Sequence, residues 1–253
     1  MTPLLSVTGL SIQFGALKAV DDVSFDVGAS ELVGLVGPNG AGKTTTFNAI
    51  SGMLKPTAGA IRFDGHAITG AKPEQVARLG IMRTFQNVRL FADLSVVENV
   101  MLGAYACQPC GLATAMLRLG RHRDAERQAR EAARHWIERL GLAAYRDAAA
   151  RTLPLGLQRV MEIARALARS PRLLLLDEPA AGLNGSEKSR LSDLLRLAVR
   201  EGACALLVVE HDMPMVMGLA ERIVVMDFGR KLAEGTPADI RNDPDVIRVY
   251  LGS

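Results

Sequence analysis

The chain lacks any apolar run long enough to cross a bilayer, although hydrophobic residues make up 49% of its 253 residues. A membrane-spanning helix needs about 20 consecutive apolar residues. The first residues, 1–5, have neither the basic segment nor the apolar segment of a secretory signal. We therefore expect the chain to stay in the cytoplasm and to reach a membrane only through a partner.

The chain is also poor in cysteine, in aromatic residues and in net charge. Its three cysteines suit a reducing compartment. Cys107 and Cys110 form one C-x-x-C motif, which is typical of redox or zinc sites. No second such motif follows, and His122 and His135 lack zinc-finger spacing, so we interpret the pair as surface thiols. With 4% aromatic residues and a dispersed net charge of +3, a nucleic-acid partner is not expected.

What the chain does have is a phosphate-binding loop, because residues 37–44 match G-x-x-x-x-G-K-[ST]. An apolar strand is predicted before it, over 31–36, and a helix after it, over 44–51, which is the context that this motif requires. Glycines let backbone N–H groups turn toward an anion, and the helix N-terminus adds a partial positive charge. Lys43 would reach the β- and γ-phosphates, and the Thr44 hydroxyl would ligate Mg²⁺. The nucleotide-binding residues are predicted to be Gly37, Pro38, Asn39, Gly40, Ala41, Gly42, Lys43, Thr44 and Thr45.

A pair of acidic residues ends a second apolar strand, predicted over 173–176. At the carboxyl edge of a sheet, Asp177 would bind the magnesium ion, and Glu178 would act as general base on the attacking water. The alternative is an acidic strand end that caps a turn before Pro179. The phosphate-binding loop upstream favours the catalytic interpretation.

Two further polar residues follow predicted strands. His211 comes after the strand over 205–209, where it would contact the γ-phosphate, although a histidine at a strand end is usually structural. Gln86 comes after the strand over 82–85 and would approach the metal from the opposite side. Taken alone, a loop glutamine would be uninformative.

With these motifs in this order, the chain resembles the ATP-binding subunits of ABC transporters over nearly its full length. Residues 37–44 match the Walker A loop, 173–178 the Walker B strand, and 153–159 occupy the signature position. The resemblance makes Gln86 the Q-loop glutamine and His211 the switch histidine, and it places Phe14 against adenine. It assigns the D-loop to 179–184, which includes Gly182, Leu183 and Asn184.

Finer motifs resemble the branched-chain amino acid transporter group. They lie at 14–20, 83–86, 178–184 and 210–213, and the end of the chain, 233–252, is similar to that group's C-terminal extension. Of the two ATPase subunits in that group, the chain looks like the longer one, which has the larger helical insertion.

The resemblance implies an α/β fold, that of the P-loop NTPase ABC cassette. It has a mostly parallel core sheet, an antiparallel β subdomain and an inserted helical lobe, all in one ABC ATPase domain over 1–253. We expect the core over 1–95 and 160–236, the lobe with the signature segment over 96–159, and a C-terminal helical extension over 237–253. Apolar residues at helical spacing over 123–140, including Trp136, agree with a helical lobe.

The signature segment departs from the family's Leu-Ser-Gly-Gly-Gln. Leu153 and Gly156 keep their types, but Pro154 stands in place of serine and has neither a hydroxyl nor an N–H. Gly156 and the helix N-terminus near Gln158 are expected to supply backbone donors to the ATP of the other subunit. We hypothesise that this signature binds the partner's ATP less tightly.

The function implied by the resemblance is Mg²⁺-dependent hydrolysis of ATP to ADP and phosphate in a head-to-tail dimer. The dimer partner would be a paralogous ATPase or a second copy of the chain. Both would work with integral-membrane permease subunits, on the inner face of the plasma membrane, and indirectly with a solute-binding protein. Lys43 and His211 would stabilise the developing charge while Glu178 orients water.

The motifs leave several rival functions open. A soluble ABC ATPase of repair or translation is disfavoured because the chain has one cassette and a modest insertion. A P-loop GTPase would need an Asn-Lys-x-Asp segment, which the sequence lacks. A scaffold that only binds nucleotide would be expected to lack Glu178. Transporters of urea or aromatic acids and lipopolysaccharide exporters use similar ATPases.

Overall fold

The structure is a computed structural model that describes residues 2–84, 90–105 and 119–251. Gln86, Cys107 and Cys110, for which a role was weighed above, lie outside the described residues. The chain divides into two units. The first contains Met1–Arg83, Arg172–Ala181 and Lys188–Ser253, and the second contains Thr84–Pro171 and Gly182–Glu187.

The described residues form strands and α-helices in a mixed order. The strands are β1 (Leu5–Phe14), β2 (Leu17–Val27), β3 (Leu32–Val36), β4 (Ala58–Phe63), β5 (His66–Ala67), β6 (Ile81–Arg83), β7 (Leu173–Asp177), β8 (Ala205–Val209), β9 (Arg222–Asp227) and β10 (Arg230–Gly235). The helices are α1 (Lys43–Ile50), α2 (Pro73–Arg78), α3 (Val96–Tyr105), α4 (Leu119–Arg139), α5 (Leu155–Leu167), α6 (Gly185–Arg200), α7 (Met213–Leu219), α8 (Pro237–Asn242) and α9 (Pro244–Leu251).

The first unit is built on a six-stranded sheet with the order β10-β9-β3-β8-β7-β6. Its strands are parallel except for β10, which forms a hairpin with β9. Every residue of β3, β7 and β8 is buried, as expected for strands covered on both faces. The predicted strands over 31–36, 173–176 and 205–209 are thereby confirmed. Because parallel strands end at the same edge, this sheet gathers the residues that follow β3, β7 and β8.

A second, antiparallel sheet with the order β2-β1-β4-β5 belongs to the same unit. Strands β1 and β2 are joined by a turn in which Gly15 has a φ of 58°. The inward residues of β1 and β2 join the same buried cluster as Leu35 and Leu175 of the large sheet. This shared core fixes the antiparallel sheet relative to β3.

The second unit is helical among its described residues. Trp136 of α4 is 8% exposed and therefore belongs to the core. The predicted helix over 123–140 corresponds to the C-terminal part of α4, which ends at Arg139. Helix α6 begins with a capping box, in which Asn184 Oδ1 accepts the N–H of Glu187 and Glu187 Oε2 accepts the N–H of Asn184, both at 3.0 Å.

The chain ends in two short helices, α8 and α9, as expected for the region after residue 237. Thr236 and Asp239 cap α8 reciprocally. Within the residues that the structure describes, none of the helices has the length and apolar character that crossing a membrane requires.

Candidate nucleotide-binding and catalytic site

The loop between β3 and α1 surrounds the side chain of Lys43 and hydrogen-bonds to it. Lys43 is the first residue of α1, and its Nζ donates to the carbonyl oxygens of Gly37 at 2.7 Å and Pro38 at 2.9 Å. Gly42 is the N-cap of the helix in the left-handed conformation, with φ 96°. The first turn of α1 therefore presents backbone N–H groups and the Lys43 ammonium at the carboxyl end of β3, which is an anion-binding arrangement.

Close backbone contacts explain why two of the loop positions are glycine. A Cβ on Gly37 would lie 2.1 Å from the carbonyl oxygen of Met226, and one on Gly42 would lie 2.5 Å from that of Ala19. Gly40 has open space around it but a φ of 84°. The loop is thus held against β9 and β2, and its shape depends on the absence of these side chains.

The electrostatics of Lys43 link the loop to the acidic strand end. Burial lowers the pKa of the Lys43 ammonium, while the nearby carboxylates of Glu178 and Asp177 oppose that shift. Lys43 is 8% exposed. The structure therefore brings Lys43 together with two acidic residues that are 134 and 135 positions further along the chain.

Asp177 is the last residue of β7 and is 5% exposed. Its Oδ2 forms an ion pair with the Nη2 of Arg83 on the neighbouring strand β6, at 2.8 Å. Arg83 occurs in the sequence as part of a family motif, but its contact with Asp177 was not predicted. Only a signal for strand order, which places β6 beside β7, could have suggested it.

Glu178 and His211 lie at the ends of the adjacent strands β7 and β8. Glu178 has a φ of 47°, unusual for a residue other than glycine, and its N–H donates to the carbonyl of Val209 at 2.9 Å. Its Oε1 lies 3.9 Å from Nδ1 of His211, whose side chain is 61% exposed. The sharp turn after Asp177 therefore sends two consecutive carboxylates in different directions.

Glu210 is a buried acid whose role sequence reasoning missed. It is 1% exposed, and its Oε1 accepts the N–H of Ala180 at 2.8 Å. Burial raises the pKa of Glu210, and the N–H of Ala180 partly offsets that effect. Glu210 thereby links the turn after Glu178 to the end of β8, next to His211, through a hydrogen bond.

The residues present fit a magnesium ion that arrives with a nucleotide. Among the described residues, no group of three or more His, Cys, Asp or Glu side chains could hold a metal alone. Magnesium usually keeps several waters and binds one or two carboxylates together with substrate phosphates. Thr44 is exposed in the first turn of α1, and Asp177 supplies a carboxylate. This set of oxygen donors matches the usual coordination of magnesium in proteins.

The signature segment needs one correction. Helix α5 begins at Leu155 with Pro154 as its N-cap, and the N–H of Gln158 already donates to the carbonyl of Pro154 at 3.0 Å. The N–H of Gln158 is therefore already used, but the expected donors at Gly156 and at the helix N-terminus are retained, because an α-helix leaves its first N–H groups without a helical partner. These belong to Leu155, Gly156 and Leu157.

The other predicted residues are placed as follows. Phe14 ends β1 and is 50% exposed, Thr45 is half-buried in α1, and Leu153 is buried just before the signature proline. In the D-loop, Gly182 has a φ of 79°, Leu183 is buried and Asn184 caps α6. The structure describes these positions, and their contacts with nucleotide remain predictions.

The sheet order and the loop after β3 define a P-loop nucleotide-binding protein. The family model described as ABC transporter matches residues 20–181, and the one described as branched-chain amino acid ATP-binding cassette transporter matches residues 230–253. The chain belongs to the family of ABC transporter ATP-binding proteins.

Known proteins match the chain over nearly its whole length. The high-affinity branched-chain amino acid transport ATP-binding protein LivG of Salmonella typhimurium is 45% identical and covers 99% of this chain and 98% of its own. The lipopolysaccharide export system ATP-binding protein LptB of Haemophilus influenzae is 35% identical, with 98% and 97% covered. The crystal structure of the ATP-binding cassette MJ1267 in its ADP conformation is 28% identical, covers 100% of both chains and has a TM-score of 0.86.

Proposed function

We propose that this chain is the ATP-hydrolysing subunit of an ABC importer for branched-chain amino acids or closely related small solutes. The observation that carries the proposal is the meeting of Lys43, Asp177 and Glu178 in one unit of a chain that belongs to the ABC transporter family. That combination supports hydrolysis of ATP to ADP and phosphate.

The residues divide the chemistry among them. The amides of the loop and the ammonium of Lys43 bind the phosphates, while the carboxylate of Glu178 orients a water and accepts its proton. His211, 3.9 Å from Glu178, adds a polar group beside the γ-phosphate. Thr44 and Asp177 would hold a magnesium ion, which when bound neutralises charge on the phosphates. Positioning and charge stabilisation, rather than covalent chemistry, account for the rate.

The substrate class follows from similarity at two levels. The full-length relative LivG is more similar than LptB, at 45% against 35% identity. In addition, the C-terminal 24 residues, 230–253, match the branched-chain amino acid cassette model. Together these favour an amino acid importer over lipopolysaccharide export, a urea or aromatic acid transporter, or a soluble ABC ATPase.

The proposal includes the partner proteins and the cellular location of the chain. The signature residues would meet the ATP of a second ATPase subunit, a paralogue or a second copy, in a head-to-tail dimer. That dimer would attach to integral-membrane permease subunits at the cytoplasmic face of the plasma membrane. A solute-binding protein would act on the permeases from the other side.

The test is reconstitution of the chain with the permeases encoded beside its gene, in proteoliposomes that contain a solute-binding protein. We expect ATP hydrolysis to rise when leucine, isoleucine or valine is supplied, and labelled leucine to accumulate only with ATP. The same vesicles with the Glu178→Gln variant should bind ATP without transport. Stimulation by urea, an aromatic acid or lipopolysaccharide, with none by leucine, would reassign the substrate. Failure of the chain to associate with any permease would overturn the transport function.

A further inference from the structure

Arg83 connects Asp177, the expected magnesium ligand, with the helix that carries the phosphate-binding lysine. Its Nη2 contacts Asp177 Oδ2 at 2.8 Å, and both side chains are almost buried, with 10% and 7% exposed. A charged partner of this kind offsets the cost of burying a carboxylate, and removing one member of such a pair leaves the other uncompensated.

The other guanidinium nitrogen reaches the end of α1. Nη1 donates to Asn48 Oδ1 at 2.6 Å and to Ser51 Oγ at 3.2 Å, and the guanidinium carbon lies 5.8 Å from the centre of the Phe47 ring. Lys43 and Thr44 lie in the first turn of that same helix. One planar side chain therefore bridges β7 and α1, with its two terminal nitrogens assigned to different elements.

This bridge would decide which oxygen of Asp177 serves a metal. With Oδ2 paired to Arg83, Oδ1 would be the oxygen available to a magnesium ion or its waters. The contacts of Nη1 with α1 fix the guanidinium, so the carboxylate plane is set relative to the helix of Thr44, the second expected magnesium ligand. Partners behind a metal ligand commonly tune affinity in this way.

We propose that Arg83 is a positioning residue for the magnesium-bound nucleotide, and that the metal-dependent part of nucleotide affinity depends on it while the metal-free part does not. The inference rests on the proposed function. Lysine cannot replace the arginine fully, because an ammonium lacks the planar fork that reaches two elements at once.

The test measures binding of a fluorescent ATP analogue to the full chain, first in EDTA and then across a magnesium titration. For Arg83→Met we expect affinity in EDTA within about twofold of the wild type, and a half-saturating magnesium concentration raised by about tenfold. Arg83→Lys should show a smaller rise. Manganese bound with the nucleotide, followed by electron paramagnetic resonance, gives a second readout that does not depend on turnover.

Arg172 offers a matched control. It also pairs with an aspartate, Asp64, and lies over an aromatic ring, Phe63, at 5.6 Å, but its side chain is 50% exposed. Arg172→Met should leave the magnesium dependence unchanged. If Arg83→Met does not fold, Asn48→Ala provides the test. This variant removes one hydrogen-bond partner of the guanidinium and leaves the ion pair with Asp177 in place. We expect it to raise the half-saturating magnesium concentration by about threefold.

The outcomes separate the two proposals. If the wild type binds no adenine nucleotide even with magnesium, the proposed function fails. If the wild type binds in a magnesium-dependent way and Arg83→Lys and Asn48→Ala keep the same half-saturation, the role of Arg83 fails alone. An equal loss of affinity with and without magnesium would also overturn it, because that pattern indicates a structural role only.

Discussion

Glu178 Oε1 lies 3.9 Å from His211 Nδ1, and the two residues follow strands that are paired in parallel register, with Asp177 opposite Val209. This separation is longer than a hydrogen bond, so the two side chains are neighbours that do not bind each other directly. The register of β7 and β8 sets this spacing, and the turn at Glu178 directs the carboxylate. Backbone pairing thus holds the carboxylate of Glu178 and the imidazole of His211 at one edge of the sheet.

The first prediction concerns Glu178. Glu178→Gln keeps the shape of the side chain and removes its ability to accept a proton, so we expect ATP hydrolysis to fall by about 100-fold or more. ATP binding should persist, and ATP should trap a dimer that is visible by size-exclusion chromatography. The exposed Glu221, changed to Gln in the same way, should leave the rate unchanged. Normal turnover in Glu178→Gln would refute the assignment of the base.

The second prediction compares two loop glycines. Gly37→Ala would place a methyl group 2.1 Å from a backbone oxygen of Met226, so we expect it to lower the free energy of unfolding by about 3 kcal/mol and to abolish nucleotide binding. Gly40→Ala meets no atom within 4 Å and carries only the strain of its φ of 84°, which costs about 1 kcal/mol. Urea unfolding and equilibrium dialysis of ATP would measure both. Equal effects of the two variants would contradict the steric explanation.

The sequence was sufficient for the local elements of the site. The glycine pattern, the apolar strand over 173–176 and the cap at Asn184 each depend on neighbours in sequence, where periodicity and turn chemistry act. The order of strands in the large sheet was not predicted, since burial on both faces makes β3, β7 and β8 look alike in sequence.

Long-range side-chain contacts could not be predicted in the same way. The pair of Arg83 and Asp177 joins residues 94 positions apart, and the bond from Ala180 to Glu210 spans 30. The residue types at these positions do not indicate their partners unless the order and register of the strands are already known. The helix N-terminus was expected near Gln158, whereas α5 begins at Leu155, because Pro154 can serve as its N-cap.

The third prediction concerns Pro154. Pro154→Ser restores a hydroxyl and an N–H at the N-cap of α5, where serine is a favoured capping residue. In the Glu178→Gln background we expect ATP-driven dimerisation to require less ATP, by about threefold, the worth of one added hydrogen bond. The gain from the cap and the loss of proline rigidity should nearly cancel in stability. Pro244→Ser, at the exposed start of α9, is the matched control. No change in dimerisation would show that the hydroxyl is dispensable.

The last prediction concerns Glu210. Burial raises the pKa of its carboxyl, and the nearby Glu178 raises it further, while the N–H of Ala180 and His211 oppose this shift. A carboxyl whose folded pKa is raised contributes stability below its unfolded pKa, near 4.5, and loses that contribution as pH rises toward the folded value. Glu210→Gln stays neutral and can still accept the Ala180 N–H, so its advantage in unfolding free energy over the wild type should grow between pH 4 and pH 7.

Glu210→Ala separates the hydrogen bond from the charge in this last case. It removes the acceptor and leaves the N–H of Ala180, a residue that is 2% exposed, without its carboxylate partner. We expect it to be less stable than Glu210→Gln by about 1–3 kcal/mol at every pH, because a buried donor would lose its acceptor. Urea unfolding at several pH values measures both effects. If Glu210→Gln and the wild type show the same pH dependence of unfolding free energy, ionisation of Glu210 does not destabilise the folded chain. Its role is then limited to the hydrogen bond with Ala180.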